Sequence, residues 1–447
     1  MRNLGLFLAV ISVCAGQSVE DVYRERARKI IAAAMQDEGG MAKLSYLCDR
    51  IGHRLSGSEG FTKAVAWSAA TMIAGGLENV STPTVKVPHW VRGKEMAEVV
   101  SPMRFSLSMV GLGMTSGGDV TGEVVGVRSF EELEKLGRRG VEGKIVLYHP
   151  PWVSYGVTGA FRRMGPSRAA KLGAKAVLIR SAGIPQNNSA HTGVTNFEEG
   201  VPVIPAGALT EESLGKLERL LQSGERVVVH YVSEAKMLPD ADGANVIGEL
   251  RGSEKPDEVI VISGHLDSWD VGQGAQDDGT GCIGPLQALI LLKQLGLRPK
   301  RTIRVVFWAN EENGTKGGMA YREQFKDQLK NHVIAIEMDG GAERPVGMGI
   351  TGGGEKALTQ MREIGKLLQP IGAGLVTAGG GGTDLGPMMK DGVIGSGVRT
   401  VGKRYFEWHH SESDTLDKVN PDDFRRNIAQ LAVFAYVLAD MDLRLGN

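Results

Sequence analysis

The chain has 447 residues, 51 basic and 52 acidic side chains, and an apolar fraction of 42%. That length exceeds what one ordinary core holds, so two domains are expected, and the apolar content excludes extensive disorder. The near-balanced charge gives no electrostatic reason to expect nucleic acid as a partner.

At the N-terminus Arg2 precedes an apolar run over residues 4–14, followed by Ala15 and Gly16. A positive start, a short apolar stretch and a small-residue exit predict a secretory signal over residues 1–17, too short to span a bilayer. No later stretch reaches spanning length without charge. The mature protein is therefore expected to be secreted or periplasmic, with no membrane partner. Removal of the signal leaves Cys48 and Cys282, far apart in sequence and expected as two free buried thiols. Asn79, Asn187 and Asn313 begin N-x-S/T sequons. Asn313 adjoins a candidate metal motif, where a glycan would obstruct the site, so that sequon is read as chance.

Residues 20–75 carry helical spacing, with Val22, Ala27, Ile30, Ile31 and Ala34 as the first stripe. Near 119 the character changes. Short β-rich runs at 123–127, 143–148, 176–179 and 227–232 alternate with helical patterns at 167–172 and 211–221. A segment of this size reads as an inserted domain over 119–234, interrupting a main domain made of 18–118 and 235–447. From about 236 the pattern is α/β. Strands are expected at 259–263, 302–309, 333–338 and 395–401, and helices at 281–295, 356–368 and 421–442. The last helix carries the stripe Phe424, Ile428, Leu431, Ala435 and Leu438. Continuous apolar strands separated by helices predict a mainly parallel sheet covered on both faces, an α/β/α sandwich.

In such sheets, sites form beyond the carboxyl ends of the strands. The first strand runs into Gly264-His265-Leu266-Asp267, the second into Glu311-Glu312, and the third into Asp339. Asp277-Asp278-Gly279 leads into the helix at 281, and His409-His410 follows the segment 404–408. Imidazole and carboxylate are the ligands expected for zinc outside thiolate sites. Taken singly, each residue has a bland reading: His265 as a structural histidine, Asp277-Asp278-Gly279 as a turn and cap, Glu311-Glu312 as a solvated pair. Their joint arrival at one sheet edge favours a metal centre. Five such candidates arriving on different loops could hold two metals if one carboxylate bridges, which would place the ions about 3.5–4 Å apart. Glu311 beside Glu312 suits a division in which one coordinates while its neighbour serves as general base, and Asp267 suits a partner that orients the His265 ring.

The run from His265 to Ala275 followed by Asp277-Asp278-Gly279, then Glu311-Glu312, Asp339 and His410-Ser411-x-x-Asp414-Thr415, resembles the co-catalytic di-zinc exopeptidases. Among them it is most similar to the carboxypeptidase Q family, and the similarity extends to residues 52–58, Pro88-His89-Trp90 and 297–302. The resemblance implies a zinc-exopeptidase-like main domain and a protease-associated α+β insert. It implies two Zn2+, with Asp277 bridging, His265 and Asp339 completing one site, and Glu312 and His410 the other. Glu311 would be the base, and His409 is the weaker histidine candidate. A metal-held hydroxide would attack the carbonyl of a short peptide or dipeptide with free termini. The loop at 378–384, including Gly381, Gly382, Thr383 and Asp384, would contact substrate, and a homodimer is implied. An aminopeptidase acting on longer peptides is the competing reading; a receptor-like binding protein and a one-zinc glutaminyl cyclase are the remoter ones.

Overall fold

The computed structural model describes residues 18–185 and 188–447. The expected signal segment and Asn187 lie outside them. The strands, in chain order, are β1 (Glu78–Ser81), β2 (Thr84–Val91), β3 (Glu95–Ser101), β4 (Phe105–Leu107), β5 (Met109–Gly111), β6 (Gly118–Val127), β7 (Ile145–Tyr148), β8 (Ala176–Arg180), β9 (Ala206–Leu209), β10 (Val228–Ser233), β11 (Lys236–Ala244), β12 (Val246–Leu250), β13 (Lys255–His265), β14 (Arg301–Trp308), β15 (His332–Glu337), β16 (Pro345–Thr351), β17 (Leu375–Ala378) and β18 (Gly395–Thr400).

The main sheet has the order β1-β12-β14-β13-β15-β18-β16-β17. It is mixed. Its centre, β14-β13-β15-β18, is parallel, while β1, β12 and the β16–β18 pairing are antiparallel. Strands β14 and β15 are buried at every position, and β13 from Val259 onward, because both faces are covered. Ile260 and Ile262 of β13, with Ile303, Val305 and Phe307 of β14, point into the core shared with helices Val19–Met35, Thr280–Gln294 and Pro421–Asp440. The alternate residues Val259, Val261, Val306 and Trp308 pack on the opposite face against Tyr321, Leu329, Leu385 and Met388. Period-two alternation thus feeds two cores from each strand.

Two helical expectations shift. In helix Val19–Met35 the first buried residue is Tyr23, edge-on to Tyr436 at 6.3 Å, while Val22 is 42% exposed. Helix Pro421–Asp440 buries the expected stripe and every residue from Asn427 to Ala439, including Gln430. It runs between the sheet and the helix at 19–35, so even its polar side chains need internal partners: Gln430 Nε2 donates to Gly347 O at 2.8 Å, and Asn427 Nδ2 to Glu343 O at 2.9 Å.

A second mixed sheet, β4-β3-β10-β6-β7-β8-β9-β5, is built from residues 95–233. It includes β3 to β5 and the start of β6, all before the compositional change near 119. In its parallel core β6-β7-β8-β9, helix Phe130–Val141 connects β6 to β7 and helix Tyr155–Lys171 connects β7 to β8, while Glu211–Gln222 follows β9. The two passages of chain that connect the sheets, β2 and β11, pair with each other as an antiparallel ribbon. Beside this ribbon Leu55, Trp90, Ala235 and Trp269 form a small core. Asp270, next to Trp269, receives Nη2 and Nε of Arg92 at 2.6 and 2.9 Å. Cys48 and Cys282 are both free and buried. Among the described residues no helix is long and apolar enough to cross a membrane.

Candidate metal centre and its pocket

The parallel strands β13, β14 and β15 end together, and their C-terminal extensions deliver His265, Glu311-Glu312 and Asp339 to one spot. Asp277 arrives from the entry to helix Thr280–Gln294. That entry is anchored by Asp278, whose carboxylate accepts from His265 N and Gly281 N, both at 3.0 Å. The approach is so close that a Cβ on Gly281 would lie 1.8 Å from Met338 O, so only glycine fits there. Asp414 completes the cradle by accepting from the amides of Gln276 and Asp277, at 2.8 and 3.1 Å.

The two oxygens of Asp277 face different partners. Oδ1 lies 3.1 Å from His265 Nε2, which is 3.4 Å from Asp339 Oδ1. Oδ2 lies 3.3 Å from His410 Nε2, which is 2.9 Å from Glu312 Oε2. Atoms bound tetrahedrally to one ion at about 2.0 Å stand about 3.3 Å apart, so these separations fit two adjoining ligand sets. His265 Nε2, Asp277 Oδ2 and Glu312 Oε1 are buried without a hydrogen-bond partner, as atoms aimed at cations would be. The donor set of imidazoles and carboxylates suits zinc. His409 Nε2 is also 3.3 Å from Asp277 Oδ2, and its ring stacks on His410 at 3.6 Å. His410 alone also reaches Glu312.

The remaining expected residues fall into distinct places. Asp267 orients His265 through its main-chain carbonyl, which accepts from Nδ1–H at 2.9 Å. Its carboxylate instead receives Glu311 N, Glu312 N and the Ser56 hydroxyl at 3.0, 3.3 and 3.2 Å, and so fixes the glutamate loop. Glu311 lines the pocket beside Asp277 and Asp339. Of the 381–384 segment only Thr383 reaches that wall. Gly382 covers the Glu337 carboxylate, and Asp384 is wholly buried, with both carboxylate oxygens unpartnered. Asn313 is buried, and its amide oxygen accepts from Asn310.

The electrostatics are those of crowded acids. Burial pushes Glu312 up to about 7, with Asp277 adding to the rise and His410 opposing it. Burial, with the charges of Asp339, Glu312 and Asp277, also lifts Glu311 well above the usual carboxylate range, against the pull of His265. Carboxylates that disfavour one another's ionisation make a natural cation host.

The unforeseen contribution comes from the second sheet's domain. The cavity over Asp277, of about 530 Å³, is walled by Tyr155, Arg162, Arg163, Val194 and Asn196 facing Glu311 to Thr315 and His410. The same domain clasps the histidine loop. Thr192 N donates to His410 O at 2.8 Å, Ile184 N to Phe406 O at 2.8 Å, and His191 Nδ1–H to His409 O at 2.6 Å. His410 Nδ1 lies 3.3 Å from Thr192 O. No sequence signal marks these residues, because they meet the site only through the packing of one domain on the other.

The family model for peptidase family M28 matches residues 245–435. Mouse (Mus musculus) carboxypeptidase Q is 40% identical over 426 residues, which cover 94% of this chain and 90% of the mouse protein. The crystal structure of a peptidase M28 precursor from Shewanella amazonensis superposes with a TM-score of 0.91 at 32% identity, covering 95% of this chain and 98% of that one. An aminopeptidase from an Aneurinibacillus species shares the fold at a TM-score of 0.66 and 20% identity, over 94% of this chain and 98% of its own.

Proposed function

The chain belongs to the carboxypeptidase Q family of M28 peptidases and is a metallopeptidase, and from that premise we propose that it is a di-zinc exopeptidase that hydrolyses short peptides with free termini. The observation that carries the two-ion reading is Asp277, whose two oxygens face separate histidine–carboxylate pairs 3.1 and 3.3 Å away. His265 and Asp339 would hold one zinc, His410 and Glu312 the other, with Asp277 shared. Bound zinc supplies the Lewis acidity that polarises a peptide carbonyl and acidifies water.

This chain's own residues manage the protons. Glu311 accepts a proton from the attacking water while the water oxygen bonds to the carbonyl carbon. As the C–N bond breaks, the same carboxylic acid delivers that proton to the leaving nitrogen, giving a free carboxylate and an amine. Asp267 holds Glu311 and Glu312 in place through their amides. The cavity's size, about 530 Å³, is that of a small-ligand pocket, which favours short peptides over the aminopeptidase reading on longer ones. All five ligand positions are filled, which argues against a receptor-like protein that has dropped its metals. Secretion, a homodimer and a protease-associated role for the domain spanning β3 to β10 belong to the same proposal. Gel filtration tests the dimer.

The deciding experiment pairs the parent with Glu311→Gln, counting zinc and following hydrolysis of a free dipeptide such as Ser-Met. Two zinc ions in both proteins, with turnover in the variant reduced by about 10²–10⁴-fold, is the expected result. Metal bound with no parental turnover on free dipeptides, blocked dipeptides or longer peptides would overturn the peptidase assignment.

A further inference from the structure

Residues 52–58 do not line the pocket, yet they grip the loop that runs from His265 to Asp277. The chain leaves the helical turn at Leu47–Ile51 through Gly52, at φ 81°, and sends Arg54 inward, where it is 0% exposed. Arg54 Nε donates to Leu266 O at 2.8 Å. Nη1 donates to Gln273 O at 2.8 Å and to Gly52 O at 3.0 Å, and Nη2 to Gly274 O at 2.9 Å. The main chain adds a reciprocal pair: Arg54 N donates to Ser268 Oγ at 3.0 Å, and Ser268 N to Arg54 O at 3.3 Å. Among the described residues no carboxylate stands at ion-pair distance from this guanidinium, so its charge is met by main-chain carbonyls.

The carbonyls it holds are not a random set. Leu266 follows His265 directly, and Gln273 and Gly274 stand shortly before Asp277. One side chain therefore ties together the two ends of the loop whose ends carry a terminal ligand and the shared carboxylate. A guanidinium is planar and rigid, with five donors in fixed directions, so it pins these oxygens at a set separation. A lysine ammonium is a compact point charge without that fork. Without the fork, carbonyls turned away from water would be left unpaired, which a buried backbone does not tolerate cheaply. The fit is close: a Cβ on Gly274 would lie 2.9 Å from Arg54 Nη2.

We infer that Arg54 is a positioning residue for the metal centre, setting the separation of His265 from Asp277 by bridging the two ends of the 266–274 loop. The inference rests on the two-zinc reading and deepens it. The 52–58 segment then supports the centre twice, through Arg54 on this loop and through the Ser56 hydroxyl on Asp267, whose carboxylate fixes the glutamate loop.

The test compares the full-length protein with Arg54→Lys, Arg54→Met and a control, Arg301→Met. Arg301 is 1% exposed and also donates to main-chain carbonyls, those of Met441 and Asp442, but it sits at the start of β14, the far end of that strand from the glutamate loop. Three quantities are read on each protein: zinc retained against a chelator, the rise in thermal midpoint when zinc is added to metal-free protein, and kcat and KM on a free dipeptide. Arg54→Met is expected to weaken zinc retention by about 10- to 100-fold and to lower kcat by a similar factor with KM little changed, as when other supports of metal ligands are removed. Its zinc-dependent rise in midpoint should shrink accordingly. Arg54→Lys, which keeps the charge and loses the fork, should recover only part of each loss. Arg301→Met should lower the midpoint of the metal-free protein and leave zinc retention and kcat at the parent's values. Arg54 variants that melt lower yet retain zinc and turn over as the parent does would overturn the inference, as would Arg54→Lys matching the parent in all three quantities. If Arg54→Met does not fold, Arg54→Lys decides between these outcomes. A parent that binds two zinc ions and hydrolyses no peptide would overturn the peptidase reading alone, because zinc retention still judges Arg54.

Discussion

At the scale of single residues, pairing decides function and stability alike. Three of the metal-facing atoms, His265 Nε2, Asp277 Oδ2 and Glu312 Oε1, are left by the fold without hydrogen bonds, whereas some buried polar groups away from the site are tied down on every side. His332 is an instance of the second kind. Arg304 Nη1 donates to Tyr321 Oη at 2.7 Å, the Tyr321 hydroxyl donates to His332 Nε2 at 2.9 Å, and Nδ1–H donates to Gln328 O at 3.1 Å. Burial, aided by the positive charges of Arg304 and Arg444, depresses this imidazole to about 4, against the pull of the Gln328 carbonyl. The unfolded chain, with a histidine near 6.5, binds the proton first. Stability from this site is therefore full at neutral pH and is lost as pH falls from 6.5 through 4, by about 3 kcal/mol in total. His332→Gln should show a smaller fall in thermal midpoint between pH 7 and pH 4.5 than the parent. An equal fall in both would remove His332 as a contributor.

At the scale of elements, the site depends on how closely three of them converge. The end of β13, the exit of β15 and the start of helix Thr280–Gln294 meet at Gly264, Met338 and Gly281, where backbone atoms take the space a side chain would need. Asp278 ties strand to helix, and Asp277, its neighbour, is thereby placed between the two histidines. Gly281→Ala would drive a methyl into Met338 O and the Asp278 carboxylate. The expected cost is about 1–3 kcal/mol of stability, as for overpacked cores, together with loss of bound zinc. Thermal melting and a metal count check this; a variant with the parent's melting temperature and two zinc ions would show that the junction has slack.

At the scale of the whole molecule, the domain spanning β3 to β10 takes part in the site. It walls the pocket and grips the loop that carries His409 and His410 through His191, Thr192 and Ile184. His191 spends its Nδ1–H on His409 O, so its ring is a strut between domains. Groups that orient a metal-binding residue typically change metal affinity by about 10- to 100-fold when removed. His191→Phe is therefore expected to weaken retention of the ion proposed for His410 and Glu312 by about 10-fold, leaving the one proposed for His265 and Asp339 in place. Chelator competition with zinc quantitation would resolve the two. Equal loss of both ions would point to general unfolding, and no loss would show the clasp to be unnecessary.

Much of this was legible in the chain itself. Continuous apolar runs at 259–263, 302–309 and 333–338 specify doubly covered strands, and residues directly beyond such strands must emerge at one edge. That local rule is why His265, Glu311-Glu312 and Asp339 could be grouped before any coordinates, and why the stripe from Phe424 to Leu438 could be read as core. Period alone did not distinguish Tyr23 from Val22, nor show that helix Pro421–Asp440 is buried on all sides, because those depend on which neighbours pack against a helix. Nor did it show that Asp267 works through its carbonyl on one side and its carboxylate on the other. The pocket wall from the second sheet's domain and the clasp on the histidine loop were decided only by the tertiary structure. They join residues some two hundred positions apart across two separate sheets, and no periodicity or local spacing encodes which surfaces of the two sheets' layers will meet.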